Sequence, residues 1–355
     1  MNFRERARTF CDINGLKLPI LLAPMAGANS PELSIAVGLA GGMGACGALL
    51  MKPQEVLDWA DEVRGGGVTA FQLNLWIPDP APKRDPNSEA AIREFLGAWG
   101  PTVPAAAGDA MPPDFSAQCK ALLAADPPVI SSVMGLYSDS FIATMKDRGI
   151  KWFATVSTVG EAKDAEAAGA DVIIAQGMEA GGHRAAFDAE SAEAAMVGLI
   201  ALVPAVVDAV SIPVVATGGI ADGRGAAAAF ALGASAVQIG TAFLRSPESN
   251  IDAAWASALG KTAPEDTRVS RVFSGRAGRS ILTDYVRAAL SSEAPPPAPY
   301  PVQRGFTAPM RAMGYANSDI RLMQAWAGQA ASIGSSRPAG DLVKGIWQEV
   351  NQLLS

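Results

Sequence analysis

Residues 213–241 read PVVATGGIADGRGAAAAFALGASAVQIGT and alternate between two kinds of segment. The outer parts, PVVATGG and AVQIGT, are short, continuous apolar runs, which is typical of parallel strands covered on both faces. The middle part, GRGAAAAFALGA, has the composition of a helix and ends near a glycine, the residue that best tolerates a left-handed helix cap. The stretch therefore predicts a strand–helix–strand unit with parallel strands.

The same alternation extends over most of the 355 residues. Ala-rich helical segments such as SPELSIAVGLAG and TVGEAKDAEAAGA separate the apolar runs. Eight strands separated by helices predict an α/β fold, a (β/α)8 TIM barrel, with a doubly wound open sheet as the main rival. The predicted strands are residues 19–25, 42–47, 70–75, 128–134, 151–156, 171–177, 213–219 and 236–241.

Two regions interrupt the alternation of predicted strands and helices. Between Trp76 and Pro127 lies a long Pro-rich insertion, which is interpreted either as a lid over the barrel mouth or as a solvated loop. After Thr241 the sequence reads as helical to about Tyr300, and DLVKGIWQEVNQLL has apolar residues at helical spacing. We therefore predict a barrel of residues 1–241, completed by a C-terminal helix within 325–355, and a small, mainly helical second domain of residues 242–324.

Composition limits the possible classes of protein. Hydrophobic residues make up 49% of the chain and the net charge is −7, which allows a sizeable core and argues against nucleic-acid or anionic-membrane partners. The three cysteines, Cys11, Cys46 and Cys119, form no CxxC pair, so neither a disulfide scaffold nor a metal site is predicted. Without a signal-peptide pattern or an apolar run of about 18 residues, the chain is expected to be cytoplasmic.

Small and polar residues follow the predicted strands at the end where barrel enzymes carry their active sites. Gly218-Gly219 and Gly240-Thr241 end the last two strands, where missing side chains let backbone N–H groups approach a phosphate. One glycine pair alone would indicate only a tight turn, but two such loops in succession predict a phosphate site. Asn74 and Gln176 end two other strands, where an amide either braces a loop or holds a flavin ring.

His183 is the only histidine and lies in QGMEAGGHRAAF, residues 176–187. A single histidine cannot build a multi-histidine metal site, and it is a structural residue about as often as a functional one. The loop position and the flanking glycines favour a place in the site. Glu179 and Arg184 are expected to anchor the loop or to lie at its rim.

The ordered motifs APMAGANSPELSIAVGLAGGMG, FQLNLW, QGMEAGGH, ATGGIADGRG, VQIGTAFLRSPES and WAGQ resemble those of the nitronate monooxygenases, formerly called 2-nitropropane dioxygenases. The resemblance covers residues 19–329. It implies an FMN-dependent barrel that oxidises alkyl nitronates such as propionate 3-nitronate with O2, giving carbonyl compounds and nitrite. It also implies a nitronate or nitroalkane and O2 as partners, no nicotinamide, and a monomer or homodimer.

Carried over by position, the resemblance implies a role for each motif. His183 matches the family's active-site histidine, which assists binding or deprotonation of the nitro substrate. The first motif would contact the flavin ring, the two strand-end amides would contact FMN, and the glycine loops would hold the ribityl phosphate. The residues implied in FMN binding are Ala23, Pro24, Met25, Asn74, Gln176, Gly181, Gly182, Gly218, Gly219, Gln238, Ile239, Gly240, Thr241 and Gln329.

Several alternatives remain open at this point. A flavin-dependent enoyl-thioester reductase or an NADH:quinone reductase would share the same barrel and phosphate loops. A non-redox barrel that binds a sugar phosphate would share the loops alone, and a mere phosphate-binding or interaction protein is a further alternative. Tyr285, Tyr300 and Tyr315 either line the substrate mouth or pack inside the second domain.

Overall fold

The computed structural model describes residues 2–355 and confirms the predicted (β/α)8 barrel. Each of the eight predicted runs overlaps one barrel strand. Three further strands, one of which is β7 (Gly182–His183), lie outside the barrel. The barrel strands are β1 (Ile20–Leu22), β2 (Gly44–Gly47), β3 (Phe71–Trp76), β4 (Val129–Val133), β5 (Lys151–Val156), β6 (Val172–Gln176), β8 (Val214–Thr217) and β9 (Ala236–Ile239).

All neighbouring barrel strands are parallel, in the order β1-β9-β8-β6-β5-β4-β3-β2. A parallel bridge between Leu21 and Met43 joins the two ends of this order and closes the barrel. Closure excludes the doubly wound open sheet. It also brings the loops that follow all eight strands to one end of the molecule.

Helices cover the outside of the barrel. α14 packs against α2 and α9 and occupies the position of the eighth outer helix. Its Leu342, Val343 and Ile346 are buried there, as the helical spacing predicted. The outer helices are α2 (Pro31–Leu39), α3 (Pro53–Gly65), α5 (Phe115–Ala124), α6 (Asp139–Asp147), α7 (Val159–Ala167), α8 (Leu199–Val207), α9 (Gly223–Ala231) and α14 (Ala339–Leu353).

Local chemistry explains where α9 begins and ends. The Asp222 carboxylate accepts hydrogen bonds from the backbone N–H groups of Arg224 and Gly225, which caps the first turn. At the other end, Gly233 has φ +109°, a backbone conformation that residues with a Cβ adopt only at a cost in conformational energy. The predicted strand–helix–strand unit is therefore confirmed in residues 214–239.

The N-terminal end of the barrel is plugged. α1 (Phe3–Asn14) inserts Phe10 beside Phe153 of β5, with ring centroids 6.3 Å apart. Val172 and Val215 belong to the same buried cluster. Because this end is filled with apolar side chains, the opposite end carries the open space of the barrel.

The segment after Thr241 is mainly helical, but it also contains two strands that the sequence did not reveal. β10 (Thr267–Ser270) and β11 (Gly278–Ile281) form an antiparallel hairpin, and β11 also pairs with β7 (Gly182–His183). The hairpin thus holds the EAGGH loop in a three-stranded sheet. The helices of this region are α10 (Ala253–Leu259), α11 (Asp284–Ala289), α12 (Val302–Phe306) and α13 (Ala308–Ala316).

The Pro-rich insertion is neither a bare loop nor separate from the later helices. It forms α4 (Pro86–Gly97), whose Ile92 and Leu96 are buried with Phe306 and Met310 in a second hydrophobic core. The division of the chain at residues 241 and 324 stays a prediction. Among residues 2–355, no helix is both long enough and apolar enough to cross a membrane.

Candidate active site

A cavity opens at the C-terminal ends of the barrel strands, with about 1560 Å³ of space free of protein atoms, its mouth included. The structure brings together at this cavity every predicted site residue except Ile239 and Gln329. The predicted residues that line it are Ala23, Pro24, Met25, Asn74, Gln176, Gly181, Gly182, His183, Gly218, Gly219, Gln238, Gly240 and Thr241.

Ile239 and Gln329 lie just behind the cavity wall. The Ile239 side chain is buried in the barrel core, and its carbonyl accepts a hydrogen bond from the Ala23 N–H at 2.8 Å. The Gln329 N–H donates to the carbonyl of Glu179 at 2.9 Å, while Gly328 and Ala330 on either side line the cavity. A role for these two residues in cofactor binding stays a prediction.

Two adjacent loops present unpartnered backbone donors to the cavity. Within residues 2–355, the N–H groups of Gly218, Gly219, Gly240 and Thr241 donate no hydrogen bond. Gly219 has φ +69°, and a Cβ added to it would lie 3.0 Å from the Glu179 Cβ. Because these N–H groups lie at the surface of the cavity and donate to no protein acceptor, the two loops fit an anionic ligand such as a phosphate.

The two strand-end amides differ in what they contact. The Gln176 Nε2 donates to the carbonyl of His183 at 3.1 Å, and its Oε1 accepts from the Ala185 N–H at 2.9 Å. Gln176 therefore braces the loop that carries His183. Asn74 donates from Nδ2 to the Ser131 Oγ at 3.0 Å. Its Oδ1 has no partner among the described residues, so it remains available to a ligand in the cavity.

His183 is held between two aromatic rings. The centroid of its ring lies 4.5 Å from that of Trp76 and 4.6 Å from that of Trp326. Its Nε2 lies 2.7 Å from the Ser274 Oγ. Nδ1 has no hydrogen-bonding partner within the part of the chain that the structure describes. The ring is thus fixed in place with one nitrogen available to a ligand.

The environment of His183 favours the neutral imidazole. Burial, with the neighbouring positive charges of Arg276 and Arg304, lowers the pKa of His183 to about 3. The ring can therefore donate or accept one hydrogen bond near neutral pH, but it carries no positive charge there. A pKa this low also makes it a weak base towards a neutral nitroalkane.

The low pKa of His183 can be tested directly because the chain has a single histidine. In protein with isotope-labelled histidine, the imidazole NMR signals should show no protonation from pH 8 down to about 4.5, since an unperturbed histidine titrates near ~6.5. The urea-unfolded protein is the control and should titrate at that ordinary value. A midpoint near ~6.5 in the native protein would contradict the described environment.

The lowered pKa of His183 also determines how the stability of the folded protein changes with pH. Between the lowered pKa of the native state and the ordinary pKa of the unfolded state, the unfolded chain binds the extra proton. His183 therefore makes the folded state less stable as the pH falls below about 6.5.

Glu179 and Arg184 have structural roles. Both carboxylate oxygens of Glu179 accept from the Leu199 N–H, at 2.9 and 3.1 Å, where α8 begins. Arg184 is buried and donates to the carbonyls of Gly177 and Gln176. Arg184 is therefore a loop anchor and not a charge at the rim.

The tyrosines of residues 242–324 do not line the cavity. Tyr285 is buried in the second core and donates to the carbonyl of Val272 at 2.9 Å. Tyr315 is 39% exposed. Tyr300 packs its ring 5.7 Å from that of Trp76, behind the cavity wall. Packing, the second of the two predicted roles, describes them.

Several lining residues were missed from the sequence. Trp76 ends the FQLNLW motif and Trp326 begins the WAGQ motif, but nothing in the sequence indicated that both side chains contact His183. Ser274, Arg304 and Arg311 come from the region after the last barrel strand and also line the cavity. In residues 2–355 no cluster of three or more histidine, cysteine or acidic side chains could hold a metal ion.

Comparison with known proteins points to one family. Residues 8–349 match the family model described as nitronate monooxygenase. A probable nitronate monooxygenase of Staphylococcus aureus (strain MSSA476) is 34% identical over 342 residues, which is 96% of each chain.

Solved structures agree on the fold. A nitroalkane oxidase from Streptomyces ansochromogenes superposes with a TM-score of 0.87 at 34% identity, covering 98% of this chain and 100% of the other. FabK from Thermotoga maritima gives a TM-score of 0.76 at 28% identity, covering 98% and 96% of the two chains. The similarity to both therefore extends beyond the barrel to residues 242–324.

Proposed function

The chain belongs to the nitronate monooxygenase family, a family of flavin-dependent oxidoreductases, and on this premise we propose that it binds FMN and oxidises alkyl nitronates. Propionate 3-nitronate represents the substrate class, O2 is the second substrate, and the products are a carbonyl compound and nitrite. One observation carries the proposal: unpartnered N–H groups on two adjacent loops and a neutral, fixed His183 face the same cavity.

The residues present fit FMN. The N–H groups of Gly218, Gly219, Gly240 and Thr241 would hold the phosphate, because they are the unpartnered donors of the cavity. The Asn74 Oδ1 would accept a hydrogen bond from the ring system. Bound FMN would supply the electron transfer between nitronate and O2, which no side chain can provide.

The chain itself would position the substrate and keep water away from it. The His183 Nδ1–H would donate a hydrogen bond to a nitro oxygen, while Nε2 stays in contact with the Ser274 Oγ. Trp76 and Trp326 enclose the imidazole on two sides and leave little room for water. Val133 and Met134 add an apolar wall that small, uncharged O2 can approach.

The proposed function is tested by the absorbance spectrum of the purified protein, followed by nitrite release from propionate 3-nitronate in air. We expect a flavin spectrum and nitrite formation that requires O2, with an anaerobic sample as the control. A colourless protein that does not take up FMN would contradict the proposal and favour the non-redox barrel. A yellow protein that releases no nitrite but whose flavin is reduced by NADH would favour the reductases.

A further inference from the structure

The cavity has an unusual distribution of charge for an acidic protein. Within residues 2–355, the only charged side chains that line it are Arg304 on α12 and Arg311 on α13. The whole chain carries 35 acidic and 28 basic residues, so this exclusion of carboxylates is local. Whatever occupies the space beside these arginines therefore experiences a positive field.

The two arginines have different surroundings. Arg311 donates hydrogen bonds to the Thr307 Oγ1 at 3.2 Å, the Gln324 Oε1 at 3.1 Å and the carbonyl of Arg304 at 3.0 Å. All three acceptors are neutral. The half-buried Arg304 guanidinium has neither a hydrogen bond nor an ion pair to any described residue. Nearby Arg276, in contrast, lies 3.4 Å from the Asp79 carboxylate.

Without a bound anion, the two neighbouring arginines lower the stability of the folded protein. A desolvated charge that lacks a counterion destabilises a protein, and two like charges side by side add to that penalty. Burial, with the charge of Arg304, lowers the pKa of Arg311 to about 10. An anion bound between Arg304 and the imidazole of His183 would relieve both effects.

We propose that Arg304, supported from behind by Arg311, is the charge partner of the substrate and selects the nitronate anion over the neutral nitroalkane. The inference rests on the proposed function and adds the residue that recognises the substrate's charge. His183 would contribute a neutral hydrogen bond and Arg304 the positive charge, because a guanidinium fork matches the two oxygens of a nitronate.

The position of Arg304 favours the substrate over the FMN phosphate as its ligand. Its charge acts on His183, which pairs through β7 with the second domain. The unpartnered N–H groups that fit a phosphate lie on other loops, after β8 and β9. One cavity thus contains two separate anion-binding arrangements.

The experiment compares Arg304→Met with Arg287→Met in the FMN-loaded protein. Arg287 is exposed on α11, so its replacement removes the same charge from the same region without touching the cavity. The probe is nitrate, a planar anion shaped like the nitronate group, and its Kd is measured from tryptophan fluorescence, since Trp76 and Trp326 line the cavity.

For Arg304→Met we expect the nitrate Kd to rise, and the kcat/KM for propionate 3-nitronate to fall, by about 100-fold, as for the loss of one partner of a desolvated charge pair. The Kd of FMN should stay within about 3-fold of wild type. Any turnover of neutral nitroethane should not fall, because loss of the Arg304 charge leaves the His183 imidazole no weaker as a base. Arg287→Met should match wild type throughout. Arg304→Lys, which keeps the charge, should recover part of the nitrate affinity and separates loss of charge from misfolding.

Unchanged nitrate binding and nitronate turnover in Arg304→Met would overturn the inference while leaving the proposed function intact. Loss of FMN in that variant would also overturn it, because Arg304 would then serve the cofactor. Absence of nitrite release by the wild-type protein would instead contradict the proposed function itself.

Discussion

Replacing Gly219 by valine is expected to leave a folded barrel that no longer retains FMN, with the affinity reduced by at least about 100-fold. The new Cβ would lie 3.0 Å from the Glu179 Cβ, and the two methyl groups would cover the neighbouring N–H groups that fit the phosphate. Each hydrogen bond to a charged group contributes about 1.5–3 kcal/mol, so the loss of two accounts for this factor.

A matched control separates this effect from backbone strain. Gly149, in the exposed turn between α6 and β5, has the same φ of +69°, and a Cβ added there would meet nothing within 4 Å. Gly149→Val should therefore suffer a comparable loss of thermal stability while binding FMN normally. Flavin content after gel filtration and a fluorescence titration with FMN give the answer. Full flavin occupancy in Gly219→Val would refute the assigned phosphate loops.

Replacing His183 by alanine or asparagine should keep FMN bound and lower the kcat/KM for nitronate by about 100-fold, near the upper end of the ~1.5–3 kcal/mol that a hydrogen bond to a charged group contributes. The imidazole is fixed by Trp76, Trp326 and Ser274, so its removal also leaves a gap beside the substrate. Asparagine restores a polar group without filling that gap.

Ser274→Ala is the companion variant. It removes the 2.7 Å contact to Nε2, together with the contacts of the Ser274 Oγ to the carbonyl and N–H of Arg276 at 3.2 and 3.3 Å, and keeps the imidazole between the two tryptophans. We therefore expect a smaller loss, about 10-fold, consistent with one hydrogen bond that orients the ring. Steady-state kinetics with flavin content measured in each variant tests both expectations. Unchanged turnover in the His183 variants would return this residue to a structural role.

The barrel could be predicted from the sequence because its strands are continuous apolar runs that need no partner to be recognised. Residues 151–156 were bounded without error, β3 is shifted by one residue towards the C-terminus, and the other six strands are shorter than predicted at one or both ends. The β10–β11 hairpin could not be predicted, because TRVS and GRSI are short and partly polar. Their strand conformation depends on pairing with each other and with β7.

The site residues also fall into two groups, those that could be predicted from the sequence and those that could not. The small residues after β8 and β9 have a direct physical reason to be there, so Gly218 and Gly219 could be identified from their spacing. Ser274 and Arg304 could not, because they reach the cavity only through the packing of residues 242–324 against the barrel. Ser274 is 91 residues from His183 along the chain, and nothing local in FSGRAGR marks it as a contact.

The proposed oxidation of nitronates is tested most directly by anaerobic mixing. The FMN-loaded protein is mixed with propionate 3-nitronate in one experiment and with NADH in another, and the visible absorbance of the flavin is recorded. We expect a rapid loss of the oxidised-flavin band with the nitronate, recovery when O2 is admitted, and no comparable change with NADH. Rapid bleaching by NADH together with no response to the nitronate would contradict it.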